Sequence, residues 1–272
     1  MRSFSVRYII LFSIALCAVC AVMVSTLAVS LADKQEVNQT IDRKRNVLMA
    51  AGRLDPGAKA TAAEIEELFS TFEPVVIDLR TGEELPDVDP MTFDQQVEKK
   101  DPDNSREAPA NTAGVNRLPY RGLVYKAFDG DRLELIVLPV EGYGLWSTLY
   151  GYLALESDFD TIAGLAYYNH AETPGLGGEV DNPRWRQLWP GRKAFGDDWE
   201  PAISVIKGAA GPVEDDPYNV DGLSGATITA RGVDGMMKLW LGPDGFGPYL
   251  QNLSADDVAA SPDSAPEQAA AA

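Results

Sequence analysis

The sequence has almost no thiol or imidazole chemistry. Only two of its 272 residues are cysteines and only one is a histidine. Cys17 and Cys20 both lie inside an apolar N-terminal segment, so no cysteine remains elsewhere for a disulfide framework, a zinc site or a thiol nucleophile. The single histidine, His170, excludes a metal or haem site that would need several histidines from this chain.

Basic patches are also lacking. The net charge is −18, from 41 acidic and 23 basic residues, and no basic run is interleaved with aromatic residues. An acidic surface is repelled by phosphate backbones, which excludes nucleic acid as a partner. Two sequence fingerprints are missing as well. No Gly-x-Gly-x-x-Gly follows a predicted strand, and no Gly-x-Ser-x-Gly nucleophile elbow occurs.

Charge is absent from one long N-terminal segment. No charged residue occurs from Tyr8 through Ala32, and about 20 apolar residues suffice to cross a membrane as a helix. We predict a single transmembrane helix over residues 8–32, preceded by a cytoplasmic N-terminus at residues 1–7. The alternative is a signal peptide cleaved after Ala32, but the apolar run is longer than such peptides usually have. Both interpretations place the remainder outside the cytoplasm.

Residues 33–118 are predicted to form a membrane-proximal α/β region. A helix leaves the membrane and ends near Gly52. A second helix is expected over residues 60–72, with Thr61 as its N-cap and Glu64 three residues later in a capping-box pattern. A strand follows at residues 75–79. Residues 83–118 are acidic and rich in proline and asparagine, which predicts a long polar surface loop or a poorly ordered insertion.

Residues 119–250 are predicted to form the main α+β domain. Four strands are expected, at residues 122–128, 133–140, 149–155 and 162–168, followed by a helix over residues 183–194 and a short strand at residues 203–207. A further helix begins at Thr227 or Thr229 and continues to about Leu241. Residues 251–272 have the composition of a disordered tail.

The most informative segment runs from Asp221 to Thr229 and reads Asp-Gly-Leu-Ser-Gly-Ala-Thr-Ile-Thr. Small residues cluster where a helix is about to begin, so a bulky anion can approach the backbone closely. Free N–H groups at a helix start suit a phosphate, and nearby hydroxyls add hydrogen bonds. Taken alone, the segment also fits an ordinary helix cap.

This segment resembles the flavinylation motif of FMN-binding domains in subunits of the sodium-translocating NADH:quinone oxidoreductase and of the related Rnf complex. In that family a threonine is esterified to the FMN phosphate by a separate flavin transferase that consumes FAD. The resemblance implies a covalent phosphoester on Thr227, with Thr229 as the second choice. It also places Asp221, Ser224, Gly225 and Ala226 at the cofactor.

Two further strings resemble the same family, at residues 142–147 and 168–178, so that the likeness covers roughly residues 120–245. A flavin ring needs an apolar wall and hydrogen bonds to its polar edge. The resemblance implies FMN contacts from Leu145, Trp146, Glu172, Thr173, Leu176 and Gly177. The alternatives are a core strand for the first string, a turn cap for Glu172 and a hydrogen-bonded loop residue for His170.

The resemblance implies a function as the membrane-anchored C-type subunit of the sodium-translocating complex in the bacterial inner membrane, with its main domain in the periplasm. Electrons from the NADH and iron–sulfur side would pass through this FMN to the flavin of the B-type subunit. The implied partners are subunits of types A, B, D, E and F and the flavin transferase. The chain alone would have no complete activity. Alternatives are the G-type subunit of an Rnf-type ferredoxin:NAD complex, a cofactor-free scaffold domain, or a secreted hydrolase using Ser224 or Thr227.

Overall fold

The apolar N-terminal segment is part of one long helix, α1 (Val6–Ala50). The computed structural model describes residues 5–260, without the side chains of residues 33, 34, 36 and 255–260. Within α1 the stretch Val6–Ala32 has a mean hydropathy of 2.6, so it is long and apolar enough to cross a membrane. The predicted N-terminal apolar helix is confirmed. Residues 1–4 of the predicted N-terminus and residues 261–272 of the predicted tail lie outside the described residues.

Residue contacts divide the chain into two units between Lys44 and Arg45. The last turns of α1 therefore belong to the second unit, where Val47, Leu48 and Ala50 are fully buried. The other helices are α2 (Ala62–Phe69), α3 (Gln95–Lys100), α4 (Pro183–Arg186), α5 (Thr227–Leu241) and α6 (Gly247–Ala260), with a 3-10 helix at Gly177–Asp181. Helix α2 has the predicted capping box between Thr61 and Glu64.

An antiparallel sheet with strand order β1-β4-β5-β6-β7 forms the centre of the second unit. Its strands are β1 (Phe72–Asp78), β4 (Arg121–Asp129), β5 (Arg132–Tyr143), β6 (Thr148–Glu156) and β7 (Ile162–Asn169). Two smaller sheets pair β2 (Ser105–Glu107) with β3 (Arg117–Pro119) and β8 (Ser204–Val205) with β9 (Asn219–Val220). The predicted strands at residues 75–79, 122–128, 133–140, 149–155 and 162–168 correspond to β1, β4, β5, β6 and β7.

Helices cover both faces of the central sheet. Helix α5 packs on β5, where the indole Nε1 of Trp240 donates to the carbonyl oxygen of Glu141 at 2.8 Å. On α2, Phe69 packs edge-on against Tyr125, whose neighbour Val124 belongs to the core on the α5 side. Successive strand residues point to opposite faces, so α2 and α5 lie on opposite sides. The α+β fold class is thereby confirmed.

The predicted loop at residues 83–118 contains α3, β2 and most of β3, and a few buried residues attach it to the domain. Asp94 caps α3 by accepting from the amides of Gln96 and Val97. Gln95 is buried and its Oε1 accepts from the amide of Leu123 at 3.1 Å. The segment has few large apolar residues, and its buried ones, such as Phe93 and Leu118, are too widely spaced to give a periodic signal. The predicted boundary at 118/119 does not match a structural division, because β1 pairs with β4 across it.

Two other helix predictions differ from the structure. The expected helix over residues 183–194 ends at Arg186, since Pro190 restricts the preceding residue and Gly191 has a φ of +82°. Trp189 is nevertheless fully buried. The expected disordered tail begins with helix, because α6 continues to Ala260, as its alanine content favours.

Candidate cofactor site

The segment at residues 221–229 is the turn that leads from β9 into α5. Gly225 has a φ of +74°, a left-handed conformation that glycine adopts without strain. Ala226 occupies the N-cap position of α5, and no side chain caps the helix there. The first amides of α5 are therefore available to an outside acceptor, and the helix dipole favours an anion at this end.

The two threonines of the motif have opposite environments. Thr227 is the first residue of α5 and is exposed. Thr229 is 1% exposed, and its Oγ1 donates to Oε2 of Glu172 at 2.6 Å. A helix rotates by about 100° per residue, so residues two apart point to different sides. Of the two threonines, only Thr227 has a hydroxyl that an external reagent can reach. Ser224 is the other exposed hydroxyl of the motif.

Glu172 connects the start of α5 to the loop after β5. It is 5% exposed, and besides Thr229 it accepts from three consecutive amides. These are the amides of Leu145 at 3.1 Å, Trp146 at 2.8 Å and Ser147 at 3.2 Å. Burial alone would raise the pKa of the Glu172 carboxyl, but the Thr229 hydroxyl and the three amides outweigh it and hold that pKa below its ordinary value.

Two glycines leave room for this carboxylate. A Cβ on Gly144 would lie 2.6 Å from Oε1 of Glu172, and one on Gly177 would lie 2.5 Å from Oε2. The same Cβ on Gly177 would lie 2.6 Å from Oγ1 of Thr229. The three parts of the chain therefore meet with no space for a methyl group. We call Glu172, its donors and these two glycines the carboxylate latch.

His170 stabilises the loop that carries Glu172. Its Nδ1 accepts from the amide of Glu172 at 3.2 Å, so its Nε2 carries the hydrogen and donates to Asp181 at 2.8 Å. The hydroxyl of Ser147 accepts from the amide of Ala171 at 2.7 Å. Both contacts fix the loop at residues 170–172 in place, which matches the sequence alternative that His170 is a hydrogen-bonded loop residue.

Three large apolar side chains next to the carboxylate latch are exposed to solvent. Trp146 is 64% exposed, and Leu145 and Leu176 are also exposed. Leu176 follows Thr173 in a turn closed by the Thr173 carbonyl oxygen, which accepts from the amide of Leu176 at 3.1 Å. A Cβ on Gly225 would lie 2.9 Å from Cδ2 of Leu176, so this side chain reaches the motif. We call Leu145, Trp146 and Leu176 the apolar platform.

A cavity of about 570 Å³ opens on the other side of Thr227. This volume lies within the range of about 300–1,000 Å³ that is usual for ligand pockets. Its lining comprises Val205, Ile206, Lys207, Gly208, Ala209, Asp221, Gly222, Leu223, Ser224, Gly225, Thr227, Ala230 and Arg231. Of the predicted contacts, Asp221, Ser224, Gly225 and Thr227 line the cavity, whereas Ala226 and the platform residues do not.

Sequence reasoning missed Lys207, Gly208, Ala209 and Arg231. The topology contained a signal for the first three, because β8 runs parallel to β9 and ends beside it. The residues that follow parallel neighbouring strands emerge at the same edge. Lys207 to Ala209 follow β8 closely, just as the motif follows β9.

Asp221 holds the cavity wall together. Its Oδ1 accepts from the amide of Ala210 at 2.8 Å, and its carbonyl oxygen accepts from the indole of Trp185 at 2.8 Å. The next residue, Gly222, donates its amide to the carbonyl oxygen of Gly208 at 2.9 Å. One oxygen of the Asp221 carboxylate thus bonds within the protein, and these contacts fix residues 208–210 against the motif.

Known proteins resemble this chain over most of its length. The model of the FMN-binding domain family matches residues 144–242. The C subunit of the Na(+)-translocating NADH-quinone reductase of Yersinia pestis is 42% identical over 92% of this chain and 93% of its own length. The protein of the same name from Pseudomonas aeruginosa is 41% identical over 90% of this chain and 94% of its own length.

A solved structure agrees with this likeness. The crystal structure of NqrC from Shewanella oneidensis superposes with a TM-score of 0.72 at 36% identity. The match covers 80% of this chain and 99% of that one. The fold and the sequence therefore indicate the same relatives, and the FMN-binding domain is the part of the chain that contains the latch, the platform and the cavity.

Proposed function

This chain belongs to the NqrC family, the C subunits of the Na(+)-translocating NADH-quinone reductase, and from that premise we propose that it carries FMN as a phosphoester on Thr227. It is an FMN-binding subunit of that complex, and the comparisons do not favour the Rnf-type alternative. The observation that carries the proposal is the contrast between the two threonines, since Thr227 is exposed beside the cavity whereas Thr229 is buried against Glu172.

The position of Thr227 suits a phosphoester. Its oxygen is part of the first residue of α5, where the uncapped amides and the helix dipole stabilise a phosphate. Lys207 and Arg231 line the adjoining cavity and add positive charge. A covalent bond also suits a carrier that works away from the cytoplasm, because flavin lost there is not easily recaptured.

The chain's own residues bind and orient the isoalloxazine ring. Bound FMN supplies the redox chemistry, and the protein supplies position and surroundings. The apolar platform provides a wall for the ring, and the turn from Thr173 to Gly177 offers backbone groups to its polar edge. The carboxylate latch keeps both at a fixed place relative to α5, and thus relative to the ester oxygen.

The membrane anchor and the relatives support a place in a larger assembly. Val6–Ala32 is long and apolar enough to anchor the chain, and we propose that it does so, with the α+β domain on the periplasmic side of the bacterial inner membrane. There it relays electrons from the NADH and iron–sulfur side of the complex to the flavin of the B-type subunit during sodium export. A flavin transferase loads it, and subunits of types A, B, D, E and F complete the activity that this chain lacks alone.

Mass spectrometry of the full-length chain tests the covalent cofactor. We expect protein made with a flavin transferase to carry an FMN-sized adduct on the peptide that holds Thr227. Thr227→Val should remove the adduct, whereas the controls Ser224→Ala and Thr229→Ser should keep it, the latter because serine retains the hydroxyl that Glu172 binds. No adduct on any residue of the wild-type chain, or an adduct on Thr229, would overturn the assignment.

A further inference from the structure

Two basic residues at the cavity have no partner among the residues that the structure describes. Lys207 lies in the loop after β8, and Arg231 lies on the second turn of α5, so they line the cavity from different elements. Within residues 5–260, neither side chain makes a hydrogen bond or an ion pair. Both are exposed and have room to move toward a ligand.

The chain is acidic, with 41 acidic residues against 23 basic ones, and several of its cations pair with carboxylates. Lys238 lies two turns beyond Arg231 on the same helix and pairs with Asp234 at 2.7 Å. Asp221 also lines the cavity, but its Oδ1 is held by the amide of Ala210. The two cations and the uncapped start of α5 therefore make a local positive site on a negative protein.

The chemistry of loading Thr227 determines which anion fits there. A threonine hydroxyl does not displace oxygen from a simple phosphate monoester readily, so the FMN donor must be a phosphoanhydride, the class to which flavin dinucleotides belong. An anhydride bridge carries two negative charges, and more negative charge reaches the leaving oxygen during displacement. The finished phosphodiester on Thr227 carries only one charge. Two cations suit the donor better than the product.

We infer that Lys207 and Arg231 bind the pyrophosphate bridge of the flavin dinucleotide while FMN is transferred to Thr227, an inference that rests on the proposed function. A bond forms between Oγ of Thr227 and the phosphorus of the FMN half. The bond from that phosphorus to the bridging oxygen breaks, and the nucleoside monophosphate leaves with the bridging oxygen. The hydroxyl proton passes to a base of the transferase, and nothing is oxidised or reduced.

Loading kinetics test this role. Full-length protein made without a flavin transferase is mixed with purified transferase and FAD, and the adduct mass is followed over time. We expect Lys207→Gln and Arg231→Gln each to slow loading roughly 10-fold, less than the loss of a buried oxyanion donor because both residues are exposed. The double variant should be slower still. The matched control is Arg132→Gln. Arg132 is the first residue of β5, is exposed, does not line the cavity, and has no partner among the described residues.

The outcomes separate the inference from the proposed function. Slow loading in the two cavity variants, with a normal rate in Arg132→Gln and unchanged thermal unfolding, supports the pyrophosphate site. Equal loading rates in all variants would overturn it. That holds even if the substitutions change the absorption spectrum of the loaded flavin. A wild-type chain that takes up no FMN contradicts the proposed function instead.

Discussion

The two sides of the α5 N-terminus differ in how completely the protein satisfies its own charges. On the latch side, one carboxylate receives three amides and a hydroxyl and is almost entirely buried. On the cavity side, Lys207 and Arg231 are exposed and have no partner among the described residues. The difference indicates a division of work: internal hydrogen bonds fix the frame around Thr227, and unpaired charge is left for a ligand.

The carboxylate latch should be the more costly side to break. Glu172→Ala leaves three amides and the Thr229 hydroxyl without an acceptor in a buried place. We expect the free energy of unfolding to fall by roughly 2–4 kcal/mol, because each unsatisfied buried donor is penalised and a cavity is added. Chemical denaturation of the full-length chain in detergent, followed by near-ultraviolet circular dichroism, measures this loss.

The control for that substitution is Glu200→Ala, which removes an exposed glutamate on the same domain. Its effect should stay within about 0.5 kcal/mol. Equal losses in the two variants would mean that the latch is no more important to stability than a surface carboxylate, and the contrast between the two sides would disappear.

Adding a single methyl group at the latch should destabilise the protein less than removing Glu172. Gly177→Ala places a Cβ 2.5 Å from Oε2 of Glu172 and 2.6 Å from Oγ1 of Thr229, so both atoms must shift. We expect a loss of about 1–3 kcal/mol from this overpacking, measured by the same denaturation. Gly196→Ala is the matched control, since its Cβ would meet nothing closer than 3.5 Å and should change stability little. An unchanged free energy of unfolding in Gly177→Ala would show that the loop can shift to accommodate the methyl group.

Sequence reasoning predicted the elements on both sides of this comparison better than their contacts. The strand pattern, the capping box at Thr61 and the start of α5 are local features, recognised by period and by residue type. The bond between Glu172 and Thr229 joins residues 57 apart, and it therefore leaves no local signal. The motif resemblance already ranked Thr227 above Thr229, and the structure adds that Thr229 is buried whereas Thr227 is exposed.

The segment at residues 83–118 shows the same limit of local sequence patterns. Its polar composition predicted a loop, yet Gln95 is buried because its side-chain oxygen accepts from a backbone amide of β4. Composition reports the average character of a segment, whereas a specific hydrogen bond allows one polar side chain to be buried. Lys207 and Arg231 were missed for a related reason, since only the parallel pairing of β8 with β9 places the loop after β8 beside the motif.

Acid should weaken the latch without removing any of its atoms, which makes this the smallest of the expected effects. The pKa of Glu172 in the folded chain lies below its ordinary value because the Thr229 hydroxyl and the three amides outweigh burial. Its contribution to stability is therefore complete above the pH at which an unfolded glutamate titrates, about 4.3. The contribution declines as the pH falls from there through the folded value.

Glu172→Gln does not titrate, so the difference in unfolding free energy between wild type and this variant should shrink between pH 7 and pH 3. Glu200→Gln, at an exposed site, should follow the wild-type curve throughout. If the wild-type and Glu172→Gln curves ran parallel instead, the charge of Glu172 would contribute nothing, and the latch would depend on shape and neutral hydrogen bonds alone.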